Sequence, residues 1–230
     1  MSLKVIIEAL SRGISTIHMN IDVGLWFECG AKAFGGRPAL FLDRDGVIIA
    51  DTGYVGRAEN VRVLDGAADA IARCNSLGIP IVVVTNQSGI GRGYYGWEGF
   101  EAVQREVSTV LVAAGAHLDA VLACAYHAEG CGALRYADHP WRKPNPGMID
   151  MATKRLEIDR SRSWIVGDRV DDLVAGRAAG LAGGTLIASD SAMRQAAASL
   201  ANPNFGIETT HTLAEAVAAL IETGRLAADD

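Results

Sequence analysis

Asp43 and Asp45 stand one residue apart in the segment Phe41-Leu42-Asp43-Arg44-Asp45-Gly46-Val47. Two carboxylates held this close repel, so one takes a proton or both share a cation. Either outcome is chemically useful. The pair follows an apolar run, Ala39 to Leu42, that reads as the end of a buried strand. Gly46 then lets the chain turn sharply without a Cβ clash. Aspartate and glycine are also ordinary turn residues, so a plain acidic turn is the alternative. The rest of the chain decides between the two.

The elements that would position the pair follow from the pattern of the chain. From Pro38 onward, apolar strand-like runs alternate with helical patterns. After Ala39 to Leu42, a helix is expected over Ala67 to Leu77, with Gly78 as its stop. A β-branched strand follows over Ile79 to Val84 and ends at Thr85-Asn86. A long helix over Trp97 to Ala114, a strand over Leu118 to Cys124 and a helix from Pro146 to Leu156 come next. Ser163 to Val166 is a short strand ending at Gly167-Asp168. A helix over Asp171 to Ala179, a strand over Gly184 to Ala188 and two helices, Ser191 to Leu200 and Thr212 to Glu222, complete the chain. Thr212 is the expected N-cap of the last helix. This alternation predicts an α/β fold, a three-layer Rossmann-like parallel sheet with helices on both faces. Residues 1–37 do not fit it and are expected to form an N-terminal extension packed on a domain spanning 38–230.

Composition bounds the function. The 230 residues are 50% hydrophobic and 21% charged, enough to bury a substantial core. A net charge of −6 argues against a broad nucleic-acid-binding surface. No run of about 18 apolar residues is present, so no membrane span is expected. Glu8 interrupts the short apolar piece Val5-Ile6-Ile7, so no signal peptide is expected either. The four cysteines are too few for a disulfide framework and suit reduced thiols in the cytoplasm. Nothing in the chain calls for an oligomer, and a monomer is expected.

A parallel sheet places all its C-terminal strand ends along one edge. Asp43/Asp45, Thr85-Asn86 and Gly167-Asp168 with Asp171 and Asp172 would therefore meet, joined by the loop carrying Arg142-Lys143. Carboxylates, a hydroxyl, an amide and two cations in one place suit metal-assisted phosphoryl transfer. A divalent cation such as Mg²⁺ takes oxygen ligands, and lysine and arginine neutralise phosphate oxygens.

These residues carry a resemblance. DxDGV at Asp43 to Val47, Thr85 at a strand end, Lys143, and GDxxxD from Gly167 to Asp172 resemble, in order and in context, the four motifs of the haloacid dehalogenase superfamily of phosphatases. DxGYV at Asp51 to Val55, TNQSGIGRG at Thr85 to Gly93 and RKPNPGM at Arg142 to Met148 look like one subfamily of it. That subfamily includes D-glycero-D-manno-heptose 1,7-bisphosphate phosphatase and histidinol phosphatase. The match spans roughly residues 38–188.

The resemblance implies an aspartyl-phosphate route. Asp43 would attack phosphorus, and Asp45 would give a proton to the leaving alkoxide and later take one from water. Thr85 would hydrogen-bond a phosphate oxygen, and Lys143 would balance the charge of Asp43 and the phosphoryl group. Mg²⁺ would be held by Asp43, the backbone carbonyl of Asp45, and Asp168, with Asp172 in support. Asp51, Gly53, Tyr54, Asn86, Gln87, Ser88, Arg92, Arg142 and Arg169 would touch the rest of a small phosphorylated sugar, a heptose bisphosphate first among them. Each has a plainer reading. Asp51 can bind its own turn, Arg92 can be solvated, Asn86 and Ser88 can brace their loop, Arg142 can pair with Asp138, and Asp171 can be a solvated helix cap. The rival functions are a phosphatase for histidinol phosphate or another small monoester, a non-catalytic phosphate-binding module, and a metal-stabilised interaction protein.

Two departures from the family stand out. Related phosphatases often hold structural zinc before RKP as C-x-H and C-x-C. Here Tyr126, His139 and Trp141 occupy three of those places, and only Cys124 is kept. Cys124, His127, Cys131 and His139 remain as a different zinc-compatible set, weighed against a loop shaped by packing alone. No stretch is long enough for a large cap domain, so the site should be open, with specificity set by Gly89 to Gly96 and Cys124 to Pro144.

Overall fold

The computed structural model describes residues 16–30 and 32–226. Eight strands form one sheet: β1 (Thr16–Asp22), β2 (Leu25–Gly30), β3 (Leu40–Leu42), β4 (Ile81–Asn86), β5 (Ala120–Cys124), β6 (Trp164–Gly167), β7 (Gly183–Ile187) and β8 (Gly206–Thr210). Seven helices join them: α1 (Ala67–Ser76), α2 (Ser88–Gly91), α3 (Trp97–Ala113), α4 (Gly147–Leu156), α5 (Val170–Ala178), α6 (Ser191–Ala198) and α7 (Leu213–Glu222).

The order across the sheet is β1-β2-β5-β4-β3-β6-β7-β8. β3 to β8 are parallel. Their order makes β3 and β6 the neighbours at which the winding reverses, the place where open α/β sheets bind ligands. The central strands are apolar throughout because both faces are covered. Leu40, Leu42, Ile81 and Val83 pack with Ile71 of α1, Phe100 of α3 and Val217 of α7. Phe41, Val82 and Val84 point the other way, onto Ile149 of α4, Leu173 of α5 and Ala197 of α6. The three layers expected from the alternation are present.

Most expected elements lie within one or two residues of their observed bounds. Thr212 caps α7 as expected, its Oγ1 accepting from the Glu215 N–H. Three features differ. Residues 16–30 are not a layer laid on the outside: β1 pairs with β2, and β2 with β5, both antiparallel, and the two strands lengthen the sheet. An antiparallel hairpin has no place in a strand–helix alternation, so the pattern did not reveal it. The expectation for residues 1–15 lies outside the described residues. β8 went unread because this edge strand is half exposed and carries a single aliphatic side chain, Ile207. α2 is one turn long and half glycine.

Residues 46–66 make a short excursion, not a separate cap. Ala50 N–H donates to Arg62 O and Leu64 N–H to Ile48 O. Among the described residues, no helix is long and apolar enough to cross a membrane.

Candidate active site

The site begins where β3 and β6 end side by side. The Asp43 N–H donates to Val166 O at 3.0 Å, one step past the last ladder pair, which fixes Asp43 beside the start of the Gly167-Asp168 turn. Gly46 takes a left-handed φ of 80°, and a Cβ there would run into the Asp168 carboxylate. Only glycine serves both the turn and the approach. One ligand-capable oxygen each from Asp43, Asp168 and Asp172 lies within 4.8 Å of the other two.

Lys143 holds this cluster together. Its ammonium meets Asp172 Oδ1 at 2.6 Å, Asp43 Oδ1 at 3.1 Å and Val84 O at 2.7 Å, which uses all three of its protons. Burial alone would lower the lysine pKa, but Asp172 and Asp43 outweigh it and raise it. One ammonium does not balance three acids. Burial, reinforced by Asp43 and Asp172, pushes Asp168 up to about 7. Burial also lifts Asp172 to about 6, against the pull of Lys143. Asp168 Oδ1 is buried with no hydrogen-bond partner. A cluster two positive charges short, with an orphaned carboxylate oxygen, fits a hard divalent cation such as Mg²⁺. Asp172 already accepts from Lys143 at Oδ1 and from the Arg169 N–H at Oδ2, which would leave it to support such a site and Asp43 and Asp168 to face the ion.

Asp45 sits apart from the cluster, in a second network. Arg44 donates to both its oxygens at 3.0 Å, and Gln87 Nε2 donates to Oδ2 at 2.9 Å. Gln87 Nε2 also reaches Thr85 Oγ1, while Gln87 Oε1 accepts from the Tyr95 hydroxyl at 2.6 Å. Arg44 is fully buried and lies over the Phe100 ring. Burial raises the pKa of Asp45 most strongly, with Arg44 opposing it. Arg44 and Tyr95 escaped the sequence reading. A charged residue after a strand reads as exposed, and a tyrosine in a glycine-rich loop carries no motif.

A cavity of about 400 Å³ opens over these groups. Of the residues expected around a substrate, Asp51, Gly53, Tyr54, Asn86, Gln87, Ser88, Arg92, Arg142 and Arg169 all line it. Thr85 does not, and lies behind Gln87. Several wall residues are also braces. Asp51 accepts from the Gly53 N–H, and Asn86 exchanges two hydrogen bonds with the Lys143 backbone. Arg142 donates to Ser88 Oγ and Tyr126 O rather than pairing with Asp138. Arg92 donates to the Tyr54 hydroxyl at 2.8 Å and pairs with Glu129 at 2.7 Å. Asp171, read as a solvated cap, lines the cavity too.

The zinc-compatible set does not converge. Cys124 and His139 approach to 4.0 Å, but the His127 Nδ1 accepts from Glu129 N–H and Cys131 turns to Arg92 O. Among the described residues, Asp43, Asp168 and Asp172 are the only side chains grouped closely enough to share an ion. Burial pushes the Cys124 thiol up to about 12, which keeps it protonated in this setting. His139 instead stacks on Tyr126 at 4.2 Å and meets Tyr136 edge-on. Aromatic packing shapes this loop.

Known proteins resemble the chain along most of its length. Residues 140–218 match the HAD-hydrolase-like family. A D-glycero-beta-D-manno-heptose-1,7-bisphosphate 7-phosphatase of Mesorhizobium japonicum is 49% identical over 181 residues, which cover 78% of this chain and 83% of that protein. A Burkholderia mallei protein, named for the alpha anomer of the same bisphosphate, is 42% identical over 71% of this chain and 86% of its own length. The crystal structure of a HAD-like phosphatase from Mesorhizobium loti superposes with a TM-score of 0.82 at 44% identity, over 93% of this chain and 100% of that one. A D,D-heptose 1,7-bisphosphate phosphatase from B. bronchiseptica, crystallised with magnesium and phosphate, gives 0.68 at 29% identity, over 81% of this chain and 99% of its own.

Proposed function

This chain belongs to the haloacid dehalogenase-like hydrolases and is a phosphatase, and from that premise we propose that it removes the 7-phosphate of a D-glycero-D-manno-heptose 1,7-bisphosphate. The observation that carries the reading is the Asp43–Asp168–Asp172 cluster, tied by one buried lysine and short of two positive charges. The names of the 49% and 42% identical relatives supply the sugar.

Asp43 Oδ1 is occupied by Lys143 and the Arg44 N–H, which leaves Oδ2 as the attacking atom. Its lone pair forms the bond to phosphorus as the ester P–O bond breaks. The leaving alkoxide takes a proton from Asp45, whose burial favours the protonated acid. Water then attacks the aspartyl-phosphate, Asp45 takes back a proton, and inorganic phosphate leaves. Lys143 stays charged throughout and offsets the negative charge gathered at Asp43. A magnesium ion held by Asp43, Asp168 and the Asp45 backbone carbonyl would lower the repulsion between the nucleophile and an anionic phosphate. Arg92, Arg142 and Arg169 on the cavity wall suit the second phosphate.

The test is phosphate release with Mg²⁺ over a panel of both heptose bisphosphate anomers, sugar monophosphates and histidinol phosphate. The bisphosphate should show the highest kcat/KM. A preference for histidinol phosphate would transfer the reading to that substrate. Asp43→Asn should abolish turnover and leave the circular dichroism spectrum intact, and retained turnover would overturn the mechanism.

A further inference from the structure

We propose that the turn Asp22–Gly24 between β1 and β2 is a positioning element for recognition of the sugar. This rests on the bisphosphate reading above. No motif covers the hairpin, yet its turn touches both loops that wall the cavity.

The first loop follows β5. β2 lies antiparallel to β5, with Leu25 opposite Cys124. The pairing continues beyond the end of β5, where the Ala125 N–H donates to Gly24 O at 2.8 Å. The next residue, Tyr126, is buried with its ring against Gly24, and a Cβ on Gly24 would lie 2.6 Å from that ring. Asp22 accepts from the Gly24 N–H at 2.8 Å and also hydrogen-bonds the Tyr126 side chain. Tyr126 in turn stacks on His139, and its carbonyl accepts from Arg142 at 3.0 Å. Arg142 lines the cavity.

The second loop precedes α3. The Trp97 indole N–H donates to Val23 O at 3.0 Å, and Trp97 stacks on Trp26 of β2 at 5.7 Å. Trp97 directly follows the segment that places Arg92 and Tyr95 on the cavity wall. One three-residue turn therefore sets the exit of one specificity loop and the end of the other. Asp43, Asp168 and Lys143 are fixed differently, by β3, β6 and the end of β4. Disturbing the turn should shift what meets the sugar and leave the phosphate chemistry in place.

The experiment compares wild type, Gly24→Ala, Asp22→Ala and Asp22→Asn, with Mg²⁺, on the heptose bisphosphate and on p-nitrophenyl phosphate. Gly24→Ala and Asp22→Ala should raise KM for the bisphosphate by about tenfold, below the roughly 100-fold that a 1 Å misplacement can cost. Their kcat/KM on the aryl phosphate should stay within about twofold of wild type, because uniform binding to the sugar is what is lost. Asp22→Asn keeps an acceptor oxygen and should restore most of the affinity. An unchanged bisphosphate KM in folded variants, or parallel losses on both substrates, would overturn the proposal. Should Gly24→Ala misfold, the two Asp22 variants decide by the same criteria. Wild-type enzyme that cleaves the aryl ester but not the bisphosphate overturns the substrate reading, and the recognition role with it.

Discussion

Asp168 shows how a single residue couples stability, metal and pH. Its folded pKa of about 7 stands above the ordinary value of 3.8. The metal-free fold therefore holds a proton that the unfolded chain releases near pH 4. Stability linked to that proton is present at low pH, falls as pH rises from about 4 to about 7, and levels off above. A cation must displace the same proton, so Mg²⁺ affinity should rise with pH to about 7 and then flatten. Melting temperatures in EDTA and titration calorimetry with Mg²⁺ would measure the two trends, and flat profiles would contradict them. Asp168→Asn should raise the melting temperature in EDTA at pH 8 and abolish the response to Mg²⁺, trading function for stability. At this scale the motif residues were legible in the sequence, because DxDGV, Lys143 and GDxxxD carry their chemistry in their types and order. Arg44 was not. Its side chain matters because it is fully buried against Asp45 and Phe100, and burial is not written in one charged letter after a strand.

The loop from Cys124 to Pro144 illustrates the element scale. Four metal-compatible residues in a short stretch suggested zinc, yet their side chains take different partners. The ring of Tyr126, packed on His139 and Tyr136, stands at the centre of the loop instead. Tyr126→Ala should destabilise the protein by on the order of 3 kcal/mol, as loss of a buried aromatic does. A zinc chelator should leave the melting temperature unchanged. Urea unfolding with and without chelator separates the cases, and a large chelator effect would restore the metal reading. Helices and parallel strands were readable here because their periods are local. The β1–β2 hairpin was not, since its place depends on pairing with β5, far away in sequence, and β8 was not, because it is half exposed and carries a single aliphatic side chain.

The molecule as a whole is one sheet through two cores. Trp26 lies in the cluster under α1, α3 and α7, while β2 also sends Leu25 and Phe27 into the cluster under α4, α5 and α6. The hairpin is thus continuous with both halves of the core. Urea unfolding should show a single transition, with tryptophan fluorescence and far-UV circular dichroism superimposed. An early fluorescence change would mark the hairpin as a separate unit, as residues 1–37 read from the sequence suggested. The sequence by itself determined the fold class and the phosphatase family. Alternating periods dictate a parallel sheet, and a parallel sheet must bring its strand ends to one edge. Only the tertiary structure decided how the charges balance there and what surrounds them. Lys143 spans two acids, Asp168 keeps an unpartnered oxygen, Arg44 and Gln87 hold Asp45, and a remote hairpin braces the loop that carries Arg142. Those facts depend on burial and on contacts between distant segments, which arise only when the chain closes on itself.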